Sequence, residues 1–297
     1  MWAHKAIEDL LNAHQVSQSK DYSLACKTVV ELLKKSQHFY FGHCSEYIEL
    51  LPKNFYDEPL FLGNLAENIW LPYEICAFWF DNSSDSYDER YPDITLSKKG
   101  VLCLSTKRRI NENEILIFSL NYINELRSWV IYDLPCTVCI GKKLYNNGLS
   151  NIVPLDSILG DVNKSLNKSK SDRLAKDMQQ DLSALNSTLM LLSCKNIELE
   201  TNYPSGALNK KRRKKNKVEI FSYYTLKLKP FLPKRQSKKA EHQSEWSNRI
   251  HLCRGHFKKF SEEKPLFGKY TGMFWWQPQV RGDKKQGVVQ KDYQVEV

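Results

Sequence analysis

Three observations predict an α+β fold for this chain of 297 residues. Residues 2–35 carry apolar groups at three- and four-residue steps, the period of a helix packed on one side. Between about 71 and 145 the pattern changes to short continuous apolar runs bounded by turn residues, which read as buried strands. The tail, 249–297, is rich in glycine and aromatics and reads as β-hairpins. The expected organisation is a helical N-terminal region (1–70), a central mostly antiparallel sheet with one long amphipathic helix (71–202), and a basic, aromatic-rich β module (203–297).

The first helix is expected over 2–16, with Ala3, Ile7, Leu10, Leu11 and His14 on one side. After the turn at 17–20, Asp21 is expected to cap a second helix whose apolar side holds Leu24, Val29, Val30, Leu32 and Leu33. Pro52, Pro59 and Gly63 exclude a long helix from 38–70. Strands are expected at 75–80, 100–106, 115–120, 129–132 and 137–140. Residues 160–171 are Ser-, Lys- and Asn-rich and read as a linker. Asp172 then caps a helix running to about 193, with Leu174, Ala175, Met178, Leu182, Leu185, Leu189 and Leu192 along one side. Residues 203–218 read as a loop, because six consecutive cations repel one another. Residues 221–228 alternate like a strand, and 230–248 form a polar connection.

The composition is 41% hydrophobic, 26% charged and 12% aromatic, which excludes disordered and fibrous classes. No apolar run approaches the roughly 18–20 residues of a membrane span. The first residues lead into an amphipathic pattern and not a signal peptide, and the 8 scattered Cys suit reduced thiols, so a cytoplasmic protein is expected. Charge is unevenly distributed. Residues 203–297 hold 23 Lys+Arg against 8 Asp+Glu, whereas residues 1–202 hold 21 against 26. A basic last third attracts polyanions, nucleic acid above all.

Two constellations carry this expectation. Lys210, Lys211, Arg212, Arg213, Lys214 and Lys215, with Lys217, form a cationic block suited to phosphate contacts. The same block also reads as a solvated loop or a short targeting signal. The tail adds Arg254, Lys258, Lys259 and Arg281 among aromatic residues, a mixture that suits single-stranded nucleic acid because bases stack on rings. Those aromatics, Trp275 and Trp276 included, equally suit the core of a small β module. His256 and His251 beside Arg254 could move protons at a phosphodiester while the cations hold its charge. The lone Cys136-x-x-Cys139 lacks the second ligand pair that a zinc site needs, so no metal and no cofactor is expected. Phosphate-loop, dinucleotide, zinc-protease and hydrolase-elbow motifs are absent from the sequence.

The tail from Leu252-Cys-Arg-Gly-His-Phe-Lys through Pro265-Leu-Phe-Gly-Lys-Tyr-Thr-Gly, Phe274-Trp-Trp and Val280-Arg-Gly resembles a family of uncharacterised proteins encoded by bacteriophages, prophages and other mobile elements. Leu71-Pro-Tyr, Cys194-Lys-Asn, Pro204 to Arg212 and Gly287 to Tyr293 match as well, so the likeness spans about 71–297. It implies a mobile-element origin, and hence the cytoplasm of a bacterial host, but no activity. In the family the second Arg-Gly often follows His-Val; here Gln279 stands in that place, so if the family used a two-histidine acid–base pair this chain would lack one partner, although His251 could substitute. The expected function is therefore non-catalytic nucleic-acid binding through the basic last third. The alternatives are a metal-independent ribonuclease or nuclease-like enzyme using His256, and an anti-defence or host-takeover protein that binds a host or viral protein.

Overall fold

A computed structural model describes residues 2–42, 71–88, 91–109, 112–131, 136–140, 152–154, 185, 188–229, 249–253, 256–276, 279–281 and 283–288. Helices α1 (Ala3–Val16) and α2 (Lys20–Lys35) come first, followed by strand β1 (Gln37–Gly42). Strands β2 (Ile75–Asp88), β3 (Tyr91–Arg109), β4 (Glu112–Ile123), β5 (Ser128–Ile131), β6 (Cys136–Ile140) and β7 (Ile152–Pro154) follow. Then come β8 (Ile197–Asn202), helix α3 (Gly206–Lys214) and β9 (Tyr223–Leu228). The tail holds β10 (Arg249–Cys253), β11 (His256–Phe260), β12 (Gly272–Trp276), β13 (Gln279–Arg281) and β14 (Asp283–Val288).

The fold is α+β, built on a nine-stranded sheet ordered β7-β6-β4-β3-β2-β1-β9-β8, with β5 also paired to β4. Strand β1 lies parallel to β2 and β9, and every other ladder of this sheet is antiparallel. Strands β8 and β9 belong to this sheet, so the chain on both sides of residue 203 contributes to it. Of the long helix read from Asp172, residues 185 and 188–193 are helical, and 172–184 lie outside the described residues.

Alternation along the strands sends side chains to two buried faces. On one face Ala77, Trp79, Leu102, Leu120 and Trp129 meet Ile7 and Leu10 of α1 and Val29 and Leu33 of α2. On the other, Phe39, Phe78, Phe80, Cys103 and Ile117 meet Leu185, Leu189 and Met190 of the 185–193 helix. Burial on both sides explains why β2 to β4 read as continuous apolar runs. Trp79 stands directly opposite Gly100 in the β2–β3 ladder. A Cβ at Gly100 would lie 2.8 Å from the Trp79 Cζ3, so the indole occupies the space that glycine leaves. The Asp9 carboxylate is buried, accepts from Lys5 Nζ at 2.7 Å and takes the Trp129 amide at 3.0 Å, fixing α1 to β5.

Two local expectations change. The cap of α2 is Ser19, whose Oγ accepts from the Tyr22 amide at 3.3 Å. Asp21 sits inside the first turn, where its charge complements the exposed N–H groups instead of capping them. Strand β1 lies in a stretch that lacks a helix signal but also reads as turn-rich. It forms by pairing with β2 and β9, and its His38, polar in sequence, is buried beside Trp79 and Phe221.

Candidate nucleic-acid interface

The cationic block is a helix and not the expected loop. Ser205 precedes its first turn, and Lys211, Arg212, Arg213 and Lys214 occupy its last, where cations complement the exposed carbonyls. Asn216 has φ +50° just past the end. The Lys217 amide donates to Arg212 O and the Asn216 amide to Arg213 O, both at 3.0 Å, closing a Schellman cap. Favourable dipole and capping terms offset the mutual repulsion that argued for a loop.

One side of α3 is tied to the body of the protein. Asn209 donates through Nδ2 to Ile220 O at 2.9 Å and accepts the Ile220 amide at 2.8 Å. Three residues on, Arg212 donates to Val218 O at 2.6 Å and to the Glu8 carboxylate of α1 at 2.7 Å. Glu8 also accepts the Val218 amide at 3.1 Å. Arg212 is therefore a positioning residue, half-buried and already paired, and not a free phosphate ligand. Arg213 is exposed and pairs with Glu219 at 3.0 Å. Lys210, Lys211, Lys214, Lys215 and Lys217 are exposed, and among the described residues none of them has an ion-pair partner. Tyr203, 80% exposed, stands just ahead of this helix.

The tail constellation is divided between two small sheets. Strands β11 and β12 pair His256 with Trp276 and Phe260 with Gly272, and β10 and β13 pair Cys253 with Gln279 and His251 with Arg281. The two ladders belong to separate sheets, and residues 254–255 and 277–278 between them lie outside the described residues. His251 and His256 thus pair on separate ladders. Arg254 lies outside the described residues. Strand β14 runs beside β10.

On the outer face of β11–β12, the His256 and Trp276 rings stack at 6.3 Å and 22°. Phe260 lies 5.8 Å from Trp276. The Lys258 ammonium sits 5.1 Å from the Phe260 ring and 5.8 Å from that of Trp276. His256, Lys258 and Lys259 are exposed. On the opposite face Phe257 contacts Trp275 at 4.6 Å and packs on the Phe39–Phe78 side of the core. Phe274, opposite Lys258 and in contact with Phe260 and Trp276, is buried on the same face as those two rings. The tail aromatics thus divide between packing and surface.

Asn196 anchors the hairpin. Its side chain donates to Trp275 O at 2.8 Å and accepts the Trp275 amide at 2.9 Å, imitating a strand partner. Alongside it, the Lys195 amide donates to Met273 O at 2.8 Å. The Cys194-Lys-Asn segment is therefore what holds the tail to the sheet.

The two basic surfaces are separate. Helix α3 is bound to α1 through Glu8, on the side of the sheet covered by α1 and α2. The hairpin packs against the other side through Phe257. Strand β8 joins the two attachment points, a span of about 20 Å. Positions 136 and 139 lie on β6. Among the described residues no group of three or more His, Cys, Asp or Glu gathers to hold a metal ion. Among the same residues no helix is long and apolar enough to cross a membrane.

Comparison with protein-family models, with curated proteins and with solved structures finds no match for this chain.

Glu8, Asn209 and Asn196 were not singled out from the sequence. The Asn209–Arg212 spacing of three was a usable signal, because it puts both on one helix side. Glu8 and Asn196 act on residues far along the chain and leave no local signature.

Proposed function

We propose that the protein binds nucleic acid through its basic last third and performs no reaction on it. The observation that carries this reading is the set of exposed lysines on α3, held in place from beneath by Asn209 and Arg212. A cationic row on a fixed helix loses little conformational freedom when it meets phosphates, so more of the attraction appears as affinity. The hairpin face of His256, Lys258, Phe260 and Trp276 supplies a second, aromatic contact of the kind unpaired bases favour. On the resemblance of its tail, the protein works in the cytoplasm of a bacterial host that carries a phage or mobile element.

The test uses labelled single- and double-stranded DNA and RNA, in EDTA, at two salt concentrations. Salt-sensitive binding without cleavage supports the reading. Cleavage that disappears in His256→Ala would replace it with the nuclease alternative. Absence of both binding and cleavage would refute it and leave recognition of a protein as the reading to pursue.

A further inference from the structure

We infer that Phe267 is a stacking side chain for an unpaired nucleobase, an inference that rests on the nucleic-acid reading above. Phe267 lies at the tip of the β11–β12 connection and is 61% exposed. Its backbone is left-handed, with φ +53°, and that of Gly268 is +69°. The Lys269 amide donates to Leu266 O at 3.1 Å across the two residues. Two positive φ values at the centre of a tight turn are the type I′ pattern, which takes Asn, Asp or Gly. A phenylalanine there is strained, because its Cβ crowds the backbone.

Packing does not explain the choice. Leu266, the neighbouring residue, is buried and anchors the loop. It also exchanges backbone hydrogen bonds with Tyr270, at 2.7 and 3.0 Å, which close the turn. The loop is thus built without help from the Phe267 ring, and the turn holds that ring outward. Strain tolerated at an exposed position points to binding.

The surroundings favour a nucleic acid over an apolar protein pocket. Lys258, Lys259, Lys264 and Lys269 are exposed on this hairpin, against Glu262 and Glu263. Lys269 Nζ sits 5.6 Å from the Tyr270 ring, and Tyr270 is itself exposed. An outward ring two residues from Lys269 and three from Tyr270, on a hairpin with exposed lysines, matches what single strands require: a face for the base and charge for its phosphates.

The experiment compares the full-length protein with Phe267→Ala, Phe267→Tyr and Phe267→Gly. The probes are a mixed-sequence single-stranded oligonucleotide and an abasic sugar–phosphate chain of equal length. Loss of one stacked base weakens binding of the natural strand by about 5- to 100-fold in Phe267→Ala and Phe267→Gly. Phe267→Tyr keeps wild-type affinity, and all four proteins bind the abasic chain alike. Phe267→Gly also melts at a higher temperature than wild type, because glycine accepts the left-handed backbone. Wild-type affinity in Phe267→Ala, with salt-sensitive binding intact, overturns this inference and leaves the proposed function standing. A lower melting temperature in Phe267→Gly would make the ring structural and overturn it too. Failure of the wild-type protein to bind either probe overturns this inference, and failure to bind a duplex as well removes both readings.

Discussion

Acidification is expected to destabilise this protein in large part through His38. Its side chain is only 2% exposed, and burial lowers its pKa from 6.5 to about 4. Nδ1 accepts from Trp79 Nε1 at 3.3 Å, so the folded state uses the neutral ring. The unfolded chain takes up a proton below about pH 6.5 while the folded one resists until about pH 4. Stability from this group is therefore complete above pH 6.5 and falls as the pH drops towards 4. One pKa unit corresponds to about 1.4 kcal/mol, so the loss is about 2 kcal/mol at pH 5 and about 3 kcal/mol near pH 4. Urea unfolding of wild type and His38→Gln between pH 7.5 and 4.5 isolates the effect. Carboxylates titrate in both proteins, and the difference in slope belongs to His38. The same pH dependence in the two proteins would refute the reasoning.

Gly100→Ala forces a methyl into the Trp79 indole and is expected to cost about 1–3 kcal/mol, read as a lower melting temperature. Asn196→Ala removes both hydrogen bonds to Trp275 and is expected to cost about 2 kcal/mol. Its effect should be concentrated in the hairpin, with faster amide exchange at 256–276 and little change in α1 and α2. Arg212→Ala leaves Glu8 and the Val218 carbonyl without their guanidinium partner. Nucleic-acid affinity should then fall as α3 loosens, and Arg212→Lys, which cannot reproduce the fork, should restore little of it.

The strands were legible where both of their faces are buried. Runs such as 75–80 and 101–104 stay apolar at every position, because helices cover both sides of the sheet. Strand β1 was not, since Gln37 and His38 open it with polar groups and its partners β2 and β9 are far along the chain. Helix α3 was obscured by its own charge: local repulsion argues for a loop, and the compensating ties at Asn209 and Arg212 are visible only in three dimensions. The cations of the site were plain in the sequence, but their distribution was not. That Arg212 turns inward depends on Glu8, and that α3 and the hairpin occupy opposite sides of the sheet depends on topology. His256 and His251 look like neighbours along the chain, yet they pair on separate ladders, with Trp276 and with Arg281.

The central claim, that the exposed lysines of α3 contact phosphates, is tested most directly by the salt dependence of binding. Affinity for one single-stranded and one duplex oligonucleotide would be measured across a salt series, for wild type and for a variant with Lys210, Lys211, Lys214, Lys215 and Lys217 changed to Gln. Each phosphate contact contributes about 0.7 to the slope of log K against log salt for single strands, and about 0.9 for duplex DNA. Lower affinity in the variant, with a slope shallower by several such steps, is the predicted result. Equal affinity and equal slope in the two proteins would contradict it.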